Sequence, residues 1–363
     1  MVGNPLFTII MPTHSRVDVI GHAIESLRNQ TVQDFELLVV GDGCAPGTGE
    51  RVASFNDPRI RFFDLPKAPF FGYANRNVAL RESRGTYIGF MADDDLVTPD
   101  HLEILRNALD GGAALAYTQA LWVSTDGIAA PFLTNLDMAD QLELFMFRAN
   151  SIPASCFAYR ADVLPTRDAW PEDVPVAADW RLWQKIINAA PEHPLTYCRT
   201  PTVLHFSAKR KNARHSNMGA LANYLAIADT VDWWPSALRQ SIAPDQTEQG
   251  VYAALLSDKA QDFTGRLRQA AQDLVDRLTW QYIQSAPDSQ MAELQSALQQ
   301  QEALRAAERA HIAALEQKIS ALQQDIALLT NQLAARTHEV NMLNNARSIR
   351  LARAVRKLLH LHP

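Results

Sequence analysis

The sequence has few cysteines and no long hydrophobic run, and each shortage excludes a class of protein. The three cysteines, Cys44, Cys156 and Cys198, are odd in number and widely spaced. They therefore form neither a disulfide framework nor a metal-ligand pattern, and we expect a reducing compartment. No apolar stretch approaches the roughly 20 residues that span a bilayer. The N-terminal segment lacks the basic region and cleavage site of a signal peptide, so we expect a cytoplasmic protein.

The sequence also lacks the positive charge that dedicated nucleic-acid binders carry. Its formal net charge is −6, so no nucleic-acid partner is expected. A hydrophobic content of 47% over 363 residues is sufficient for one full core domain with an appendage. Basic residues concentrate near the C-terminus instead, which indicates that the last segment has a distinct character.

The stretch GTYIGFMADDDLVTPDHL, residues 85–102, places three consecutive carboxylates directly after an apolar run. Thr86–Met91 is rich in β-branched and aromatic residues and predicts a short buried strand. Asp93–Asp95 follow at its carboxyl end, where open α/β sheets bind ligands. A helix is predicted immediately afterwards, with Thr98 as the N-cap and Pro99 as the first helical residue.

Three adjacent carboxylates repel one another, so we expect a cation beside them. Hard oxygen ligands suit Mg²⁺ or Mn²⁺, and such an ion commonly bridges to a phosphate group. The alternative reading of the same residues is a solvated acidic turn before a helix.

Strands and helices alternate along the first half of the chain, which predicts a parallel sheet covered on both faces. Apolar runs predict strands at Leu6–Met11, Phe35–Val40, Ile60–Phe63, Thr86–Met91, Leu115–Val123, Cys156–Tyr159 and Val203–Phe206. Helical spacing predicts helices at Asp18–Gln30, Tyr73–Ser83 and Trp180–Ala189. From Met218 to Ile283 the pattern is helical throughout.

Polar residues recur just after the predicted strands. Thr13, Ser15 and Arg16 follow the first strand, Asp42 follows the second, and the three aspartates follow the central one. Because parallel strands end along one edge of a sheet, these side chains are expected to converge on a single ligand. Thr13 and Asp42 are suited to a base or ribose, and Arg16 to a phosphate.

Residues 290–345 contain neither proline nor glycine and carry a heptad repeat. Apolar residues recur in alternating steps of four and three, with one skip at Arg336, and they are Ile312, Leu315, Ile319, Leu322, Ile326, Leu329, Leu333, Val340 and Leu343. Isoleucine at one core position and leucine at the other favour a two-stranded coiled coil, and hence a homodimer. The alternative is one long helix that folds back on its own domain.

The last segment, residues 346–363, separates basic from apolar residues around a helix. One arc carries Arg350, Arg353, Arg356, Lys357 and His360. A basic amphipathic helix of this kind is typical of segments that lie on an anionic membrane surface. A solvated end of the coiled coil is the other interpretation.

Five stretches within residues 5–205 resemble the family 2 glycosyltransferases, which have the GT-A fold and use nucleotide sugars with inversion. They are FTIIMPTHSR, ELLVVGDGCAPGT, ANRNVALRESRGTYIGFMADDDLVTPDHL, NSIPASCFAYRADVL and VAADWRLWQKI. The resemblance implies a Rossmann-like α/β fold, with a mixed but mostly parallel sheet flanked by helices. It also implies a hexosyltransferase-type enzyme with a UDP-, GDP- or dTDP-linked sugar donor.

The resemblance assigns donor-binding roles to residues that the strand ends already single out. Thr13 and Asp42 correspond to contacts with the base, Arg76 and Asn77 to the segment near the ribose and diphosphate, and Asp93 to the carboxylate near the ribose. With the strand-end and loop candidates added, the expected nucleotide-sugar-binding residues are Thr13, Ser15, Arg16, Asp42, Arg76, Asn77, Asp93, Lys209 and Arg210. The polar run around Lys209–Lys211 is either a cationic lid over the diphosphate or a solvated loop.

The same resemblance implies a metal site that holds Mn²⁺ or Mg²⁺. Asp94 corresponds to the metal carboxylate, and Asp95 is a further candidate because Ala92 stands where many relatives have a fourth acidic residue. His205 matches a position that in some relatives helps to bind the metal or the diphosphate.

Asp179 corresponds to the catalytic base of the family. It lies in the sequence Ala178-Asp179-Trp180, where relatives often have Glu-Asp-Trp. In inverting transfer, a carboxylate takes the proton of the acceptor hydroxyl, and a divalent cation stabilises the departing diphosphate.

These observations predict a catalytic domain at residues 1–217, a helical extension at 218–287, a coiled coil at 288–345 and a basic tail at 346–363. The main hypothesis is transfer of a sugar to a glycan or lipid-linked acceptor in bacterial-type surface polysaccharide assembly, at the inner face of the cytoplasmic membrane. Two alternatives are open. One is a degenerate nucleotide-sugar-binding module that serves as a coiled-coil tether, and the other is a nucleotidyltransferase.

Overall fold

The structure, a computed structural model, describes residues 4–192, 195–206, 214, 219–258, 262–285 and 288–359. The chain divides into two compact units, Met1–Trp280 and Gln281–Pro363.

The first unit alternates strands and helices along the chain. Its strands are β1 (Phe7–Thr13), β2 (Phe35–Asp42), β3 (Ile60–Leu65), β4 (Tyr87–Phe90), β5 (Leu96–Val97), β6 (Leu115–Val123), β7 (Ala129–Phe132), β8 (Phe157–Arg160) and β9 (Leu195–Phe206). Its helices are α1 (Val17–Arg28), α2 (Thr48–Ala53), α3 (Tyr73–Arg81), α4 (His101–Asp110), α5 (Ala139–Phe147), α6 (Ala178–Ala189), α7 (Gly219–Thr230) and α8 (Glu248–Ser257). The boundary between the two units lies within α9 (Phe263–Ser285), and α10 (Asp288–Leu359) follows.

One mixed sheet organises the first unit. Its strand order is β3-β2-β1-β4-β8-β6-β9-β5, with β7 paired to β6. Strands β1 to β4 pair in parallel, as do β6 and β9, whereas β8 runs antiparallel to β4 and β6. The expected α/β fold, a mixed sheet flanked by helices, is therefore confirmed.

The register of the parallel strands brings their carboxyl ends together. Thr13 at the end of β1 lies opposite Gly41 of β2, and Ile10 lies opposite Phe90 at the end of β4. All eight residues of β2 are buried, which fits its continuous apolar run between covering layers. Residues that follow β1, β2 and β4 therefore share one edge of the sheet.

The helix after the three aspartates begins later than the sequence pattern indicates. The expectation of an N-cap at Thr98 and a first helical residue at Pro99 is wrong, because α4 begins at His101 and Asp100 occupies the cap position. β5 ends at Val97, and the backbone N–H of the next residue, Thr98, donates to the carbonyl of Thr202 at 2.8 Å. Pairing of β5 with β9 and this bond hold the chain outside the helix at the predicted cap.

The segment after residue 218 is less helical than expected. Helix α7 ends at Thr230 and α8 begins at Glu248, and the irregular stretch between them contains Pro235 and Pro244. Proline lacks the backbone N–H that a helix interior requires, which explains the interruption.

The helical extension packs onto the sheet and belongs to the same compact unit. Tyr252 is fully buried, and its hydroxyl donates to the carbonyl of Gly127 at 3.0 Å. The guanidinium of Arg268 donates to both carboxylate oxygens of Asp100 at 2.8 Å and to the carbonyl of Pro201 at 3.0 Å. These contacts join α8 and α9 to the sheet domain.

The long helix α10 has 72 residues and forms most of the second unit. The apolar residues of its heptad repeat are all exposed, from 46% at Leu315 to 68% at Leu333. None of the described helices is both long and apolar enough to cross a membrane.

Candidate active site

Asp42 ends β2, and its carboxylate is held by donors from the following loop and from α3. The backbone N–H of Ala68 and the side chain of Asn75 donate to Oδ1 at 2.7 and 2.8 Å, and the ammonium group of Lys67 donates to Oδ2. Asp42 is only 5% exposed. Close approach of the loop requires Gly72, because a Cβ there would lie 2.5 Å from Cγ of Asp42. The end of β2 is therefore a preformed polar cluster.

Arg16 lies between β1 and α1 and balances two of the three consecutive carboxylates. Its guanidinium donates to Asp93 and lies 2.8 Å from Oδ1 of Asp94. Burial lowers the pKa of Arg16, but the charges of Asp94 and Asp93 outweigh that effect and raise it. The cation expected beside the aspartates is thus supplied, in this structure, by the chain itself.

Asp95 is the most deeply buried of the three aspartates, at 1% exposure. The hydroxyl of Ser155 donates to its Oδ2 at 2.5 Å, and Nδ1 of His205 lies 2.8 Å from its Oδ1. The imidazole of His205 packs edge-on against Trp122, with 4.4 Å between ring centroids. Asp95 therefore connects β9 and the segment before β8 to Asp93–Asp95, which we call the acidic turn.

Asp94 carries the least compensated charge of the three. Burial, followed by repulsion from Asp95, raises the pKa of its carboxyl to about 7, although the Arg16 guanidinium opposes the shift. A carboxylate under such repulsion gains more than its neighbours from any cation that comes close to it.

Arg76 of α3 packs on two aromatic rings and is acted on by carboxylates from two other elements. Its guanidinium stacks on Trp170 and Tyr73, with 4.4 and 4.9 Å from Cζ to the ring centroids. Burial lowers the pKa of Arg76, and the charges of Asp179 and Asp42 oppose that shift. The acidic groups of the β2 end and of α6 thus act on the same guanidinium.

Asp179 lies in the first turn of α6, which begins at Ala178. The side-chain amide of Asn150 is 3.4 Å from Oδ2 of Asp179. Ala177 precedes the helix with a φ of 57°, a left-handed conformation that is unusual for a residue other than glycine. The chain therefore enters α6 through a strained residue that lies two positions before the candidate base.

The remaining residues that were expected to bind the nucleotide sugar fall into three groups. The hydroxyl of Thr13 is buried and has no hydrogen-bond partner among the described residues, whereas Ser15 is exposed in the loop after β1. The side chain of Asn77 is engaged by the chain itself: it donates to Glu172 at 2.7 Å and exchanges two bonds with the backbone of Trp170 at 2.9 Å. Lys209–Lys211 lie outside the described residues.

Several residues of this region escaped the sequence analysis. Lys67, Asn75 and Ser155 bind the site carboxylates, and Trp170 supports Arg76. Asn75 and Ser155 lay in stretches that the family resemblance marked, but the resemblance assigned them no role. Lys67 and Trp170 come from loops, where sequence spacing gives no signal.

The acidic turn can hold a divalent ion only together with ligands from outside the chain. Within the described ranges, no group of three or more His, Cys, Asp or Glu side chains is arranged to hold a metal. Mg²⁺ and similar ions are, however, often held by one or two carboxylates together with substrate phosphates. The raised pKa of Asp94 and the oxygen donors of the turn fit an ion of that kind.

Comparison with known proteins finds a family similarity. Residues 8–164, which include β1 to β4 and the three aspartates, match the family model described as Glycosyl transferase family 2. This region, less than half of the chain, is similar to the family 2 glycosyltransferases.

Two curated relatives and one solved structure illustrate the similarity. The chain is 32% identical over 136 residues to the succinoglycan biosynthesis protein ExoO of Rhizobium meliloti (strain 1021), covering 37% of this chain and 39% of that protein. It is 31% identical over 150 residues to the uncharacterized glycosyltransferase EpsJ of Bacillus subtilis (strain 168), covering 38% and 43%. The chain thus spans less than half the length of either relative. A crystal structure of TarS from S. aureus aligns with a TM-score of 0.44 and 21% identity, over 56% of this chain and 61% of that one.

Asp94→Asn is expected to stabilise the metal-free protein at pH 8 but not at pH 4. Because the folded-state pKa of Asp94 is raised from 3.8 to about 7, the wild type loses stability as the pH rises through that window. Removing the charge should raise the free energy of unfolding at pH 8 by at least ~1 kcal/mol, the value of roughly one pKa unit. Urea unfolding at both pH values measures the difference.

The matched control is Asp173→Asn, a change at an exposed aspartate that should leave stability unaltered at both pH values. A variant at position 94 that is less stable than the wild type at pH 8 would show that the Asp94 charge is not under net repulsion.

Proposed function

We propose that the chain is an inverting, metal-dependent glycosyltransferase that moves a hexosyl-type sugar from a nucleoside-diphosphate donor to a hydroxyl of a glycan or lipid-linked acceptor. The observation that supports this most strongly is the convergence of Asp42, Arg16, Arg76 and the acidic turn at one sheet edge, within a region that matches the model of glycosyltransferase family 2. The name of the Rhizobium relative, a succinoglycan biosynthesis protein, favours a role in polysaccharide biosynthesis.

Asp179 is the proposed general base. Its carboxylate takes the proton of the acceptor hydroxyl while that oxygen attacks the anomeric carbon and the diphosphate leaves from the opposite face. Asn150, 3.4 Å from Oδ2, is suited to orient the carboxylate. The charge of Asp179 acts on the Arg76 guanidinium, so the candidate base and a proposed diphosphate ligand are electrostatically linked.

We propose that the two arginines of the site, Arg16 and Arg76, bind the departing diphosphate. Arg16 presents a planar guanidinium suited to phosphate oxygens, and Arg76 lies on the same side as the β2 end. A divalent ion, Mn²⁺ or Mg²⁺, would neutralise the developing negative charge when bound. Asp94 is its proposed protein ligand, and Asp95 and His205, which pair with each other, are the further candidates. Asp93 is the proposed contact with the ribose.

The exchange Asp179→Asn should reduce transfer at least about 100-fold, because an amide cannot accept the proton that a general base removes. Donor affinity should change little, since the base acts on the acceptor. Transfer is followed by release of nucleoside diphosphate from a panel of nucleotide sugars with Mn²⁺, and donor affinity by calorimetry.

Asp173→Asn, in the loop that leads to α6, is the control and should retain full turnover. Full turnover in the Asp179→Asn variant would remove that residue as the base. A wild type that binds nucleotide sugar without turnover would support the tether alternative, and release of pyrophosphate would support a nucleotidyltransferase.

We propose further that α10 forms a parallel two-stranded coiled coil that makes the protein a homodimer. The nine apolar heptad residues are between 46% and 68% exposed in the single chain, and a continuous apolar stripe of this kind is ordinarily covered by a second helix. Arg336, the one polar residue within the stripe, pairs with Glu339 at 2.8 Å on its own helix.

The double change Ile319→Lys with Leu322→Lys should convert the dimer to a monomer, because it places four ammonium groups in two adjacent apolar layers of the pair. Light scattering after size-exclusion chromatography measures the mass. Gln317→Lys with Gln324→Lys introduces the same charge outside the heptad core and should leave a dimer. A wild-type monomer would refute the coiled coil.

The basic tail is the proposed contact with the cytoplasmic membrane. Deleting residues 346–363 should abolish co-sedimentation with vesicles that contain phosphatidylglycerol, since clustered basic residues bind anionic lipid electrostatically. Vesicles of phosphatidylcholine alone are the control and should not bind either form. Equal binding of the truncated and full-length chains to anionic vesicles would exclude this role.

A further inference from the structure

Strand β5 is short and lies at the edge of the sheet. It has only two residues, Leu96 and Val97, which lie opposite Leu204 and Val203 of the antiparallel strand β9. A pairing of two residues forms few backbone hydrogen bonds, and most strands are longer than this. The position of β5 against β9 therefore depends on contacts beyond the two ends of the pair.

One end of this pair adjoins the candidate metal site. Asp95 directly precedes β5 and His205 follows Leu204 in β9, so the antiparallel register places the two residues opposite each other. Nδ1 of His205 lies 2.8 Å from Oδ1 of Asp95. The alignment of β5 with β9 therefore determines how these two candidate ligands meet.

A single guanidinium joins the two strands beyond the other end. The N–H of Thr98, the residue after β5, donates to the carbonyl of Thr202 at 2.8 Å. Arg268 of α9 donates to the carbonyl of Pro201 in β9 and to the hydroxyl of Thr98, both at 3.0 Å. It also donates to both carboxylate oxygens of Asp100 at 2.8 Å. We call these four hydrogen bonds of the guanidinium the Arg268 clamp.

The Arg268 clamp includes a charged contact and is supported by a buried helix face. Burial raises the pKa of Asp100, but the hydrogen bonds from Arg268 and Thr98 outweigh that effect and lower it. Leu267 and Leu274 anchor α9 on either side of Arg268 in the sequence, at 1% and 0% exposure. Two-bond contacts of arginine with a carboxylate are specific in geometry as well as strong. The clamp therefore holds the chain after β5 at a fixed place beside β9.

We propose that Arg268 is a positioning residue of the metal site, because it fixes the alignment of β5 with β9 and thereby holds Asp95 against His205. The inference rests on the proposed function, in which Asp95 and His205 are candidate ligands of the divalent ion. Arg268 lies outside residues 8–164, the region that matches the family model. A residue of the helical extension thus acts on the site through the edge of the sheet.

Arg268→Gln should weaken the binding of Mn²⁺ to the full-length chain about tenfold, the lower end of the effect that partners of metal ligands usually have. Binding is measured from the electron paramagnetic resonance signal of free Mn²⁺, which requires no turnover. The solution contains whichever of UDP, GDP and dTDP binds the wild type most tightly. The affinity for that nucleotide without metal should change little, because the clamp lies beyond the far end of the β5–β9 pair.

Arg277→Gln is the control, since Arg277 is an exposed arginine of the same helix that stacks on Trp233. It should keep the wild-type affinity for Mn²⁺. An unchanged affinity in a folded Arg268→Gln variant, verified by circular dichroism, would overturn this inference alone. A wild type that binds no Mn²⁺ would overturn the proposed metal dependence as well.

Asp100→Asn tests the clamp from its other side and decides the question if Arg268→Gln does not fold. It should weaken Mn²⁺ binding several-fold, and the double variant should bind no more weakly than Arg268→Gln alone, because both changes break the same contact. Amide hydrogen exchange should become faster at residues 96–98 and 202–205 in either variant, but not in β1 or β2. Unchanged exchange at those residues, or additive losses of Mn²⁺ affinity, would refute the role assigned to the clamp.

Discussion

The burial of three consecutive carboxylates beyond β4 is the constraint on which the rest of the site depends. Asp93, Asp94 and Asp95 are 4%, 6% and 1% exposed, and removing such charges from water is costly unless each is paired. The partners come from separate segments: Arg16 from the loop after β1, Ser155 from the segment before β8, and His205 from β9. The acidic turn therefore joins distant parts of the sheet while it forms the candidate site.

The charge balance of the site bears on the proposed ion. The named carboxylates are Asp42, Asp179 and the three of the acidic turn, and the named cations are Arg16, Arg76 and Lys67. The described site thus has more acidic than basic groups before any ligand enters. A diphosphate would add further negative charge, and the arginines that could receive it already act on carboxylates. A divalent cation with the donor would resolve that excess, which supports the proposed metal dependence.

Local sequence patterns were sufficient to locate the strands that position the site. They did not identify several of the side chains that line it. β1, β2 and β6 are apolar runs, and their observed bounds lie within two residues of the predicted ones. Their location was therefore predictable. The start of α4 was not, because Gln30, in the loop after α1, satisfies a terminal donor of that helix in place of a cap by Thr98. Its side-chain oxygen accepts from the N–H of Leu102 at 2.9 Å. Strand-end residues such as Asp42 could be identified from spacing. Lys67 could not, since its position depends on how a proline-containing loop folds over the sheet edge.

The proposed coiled coil would strengthen the proposed contact of the basic tail with the membrane. A single basic amphipathic segment binds an anionic surface only weakly, because each basic residue near the surface contributes on the order of 1 kcal/mol and pays for ordering and desolvation. A parallel coiled coil would carry two such segments side by side, so binding of the first raises the effective concentration of the second. Residues 346–357 are exposed along α10 and continue its helix without interruption, which keeps the basic arc in register with the heptad repeat. Dimerisation would then convert a weak electrostatic contact into stable attachment near a lipid-linked acceptor.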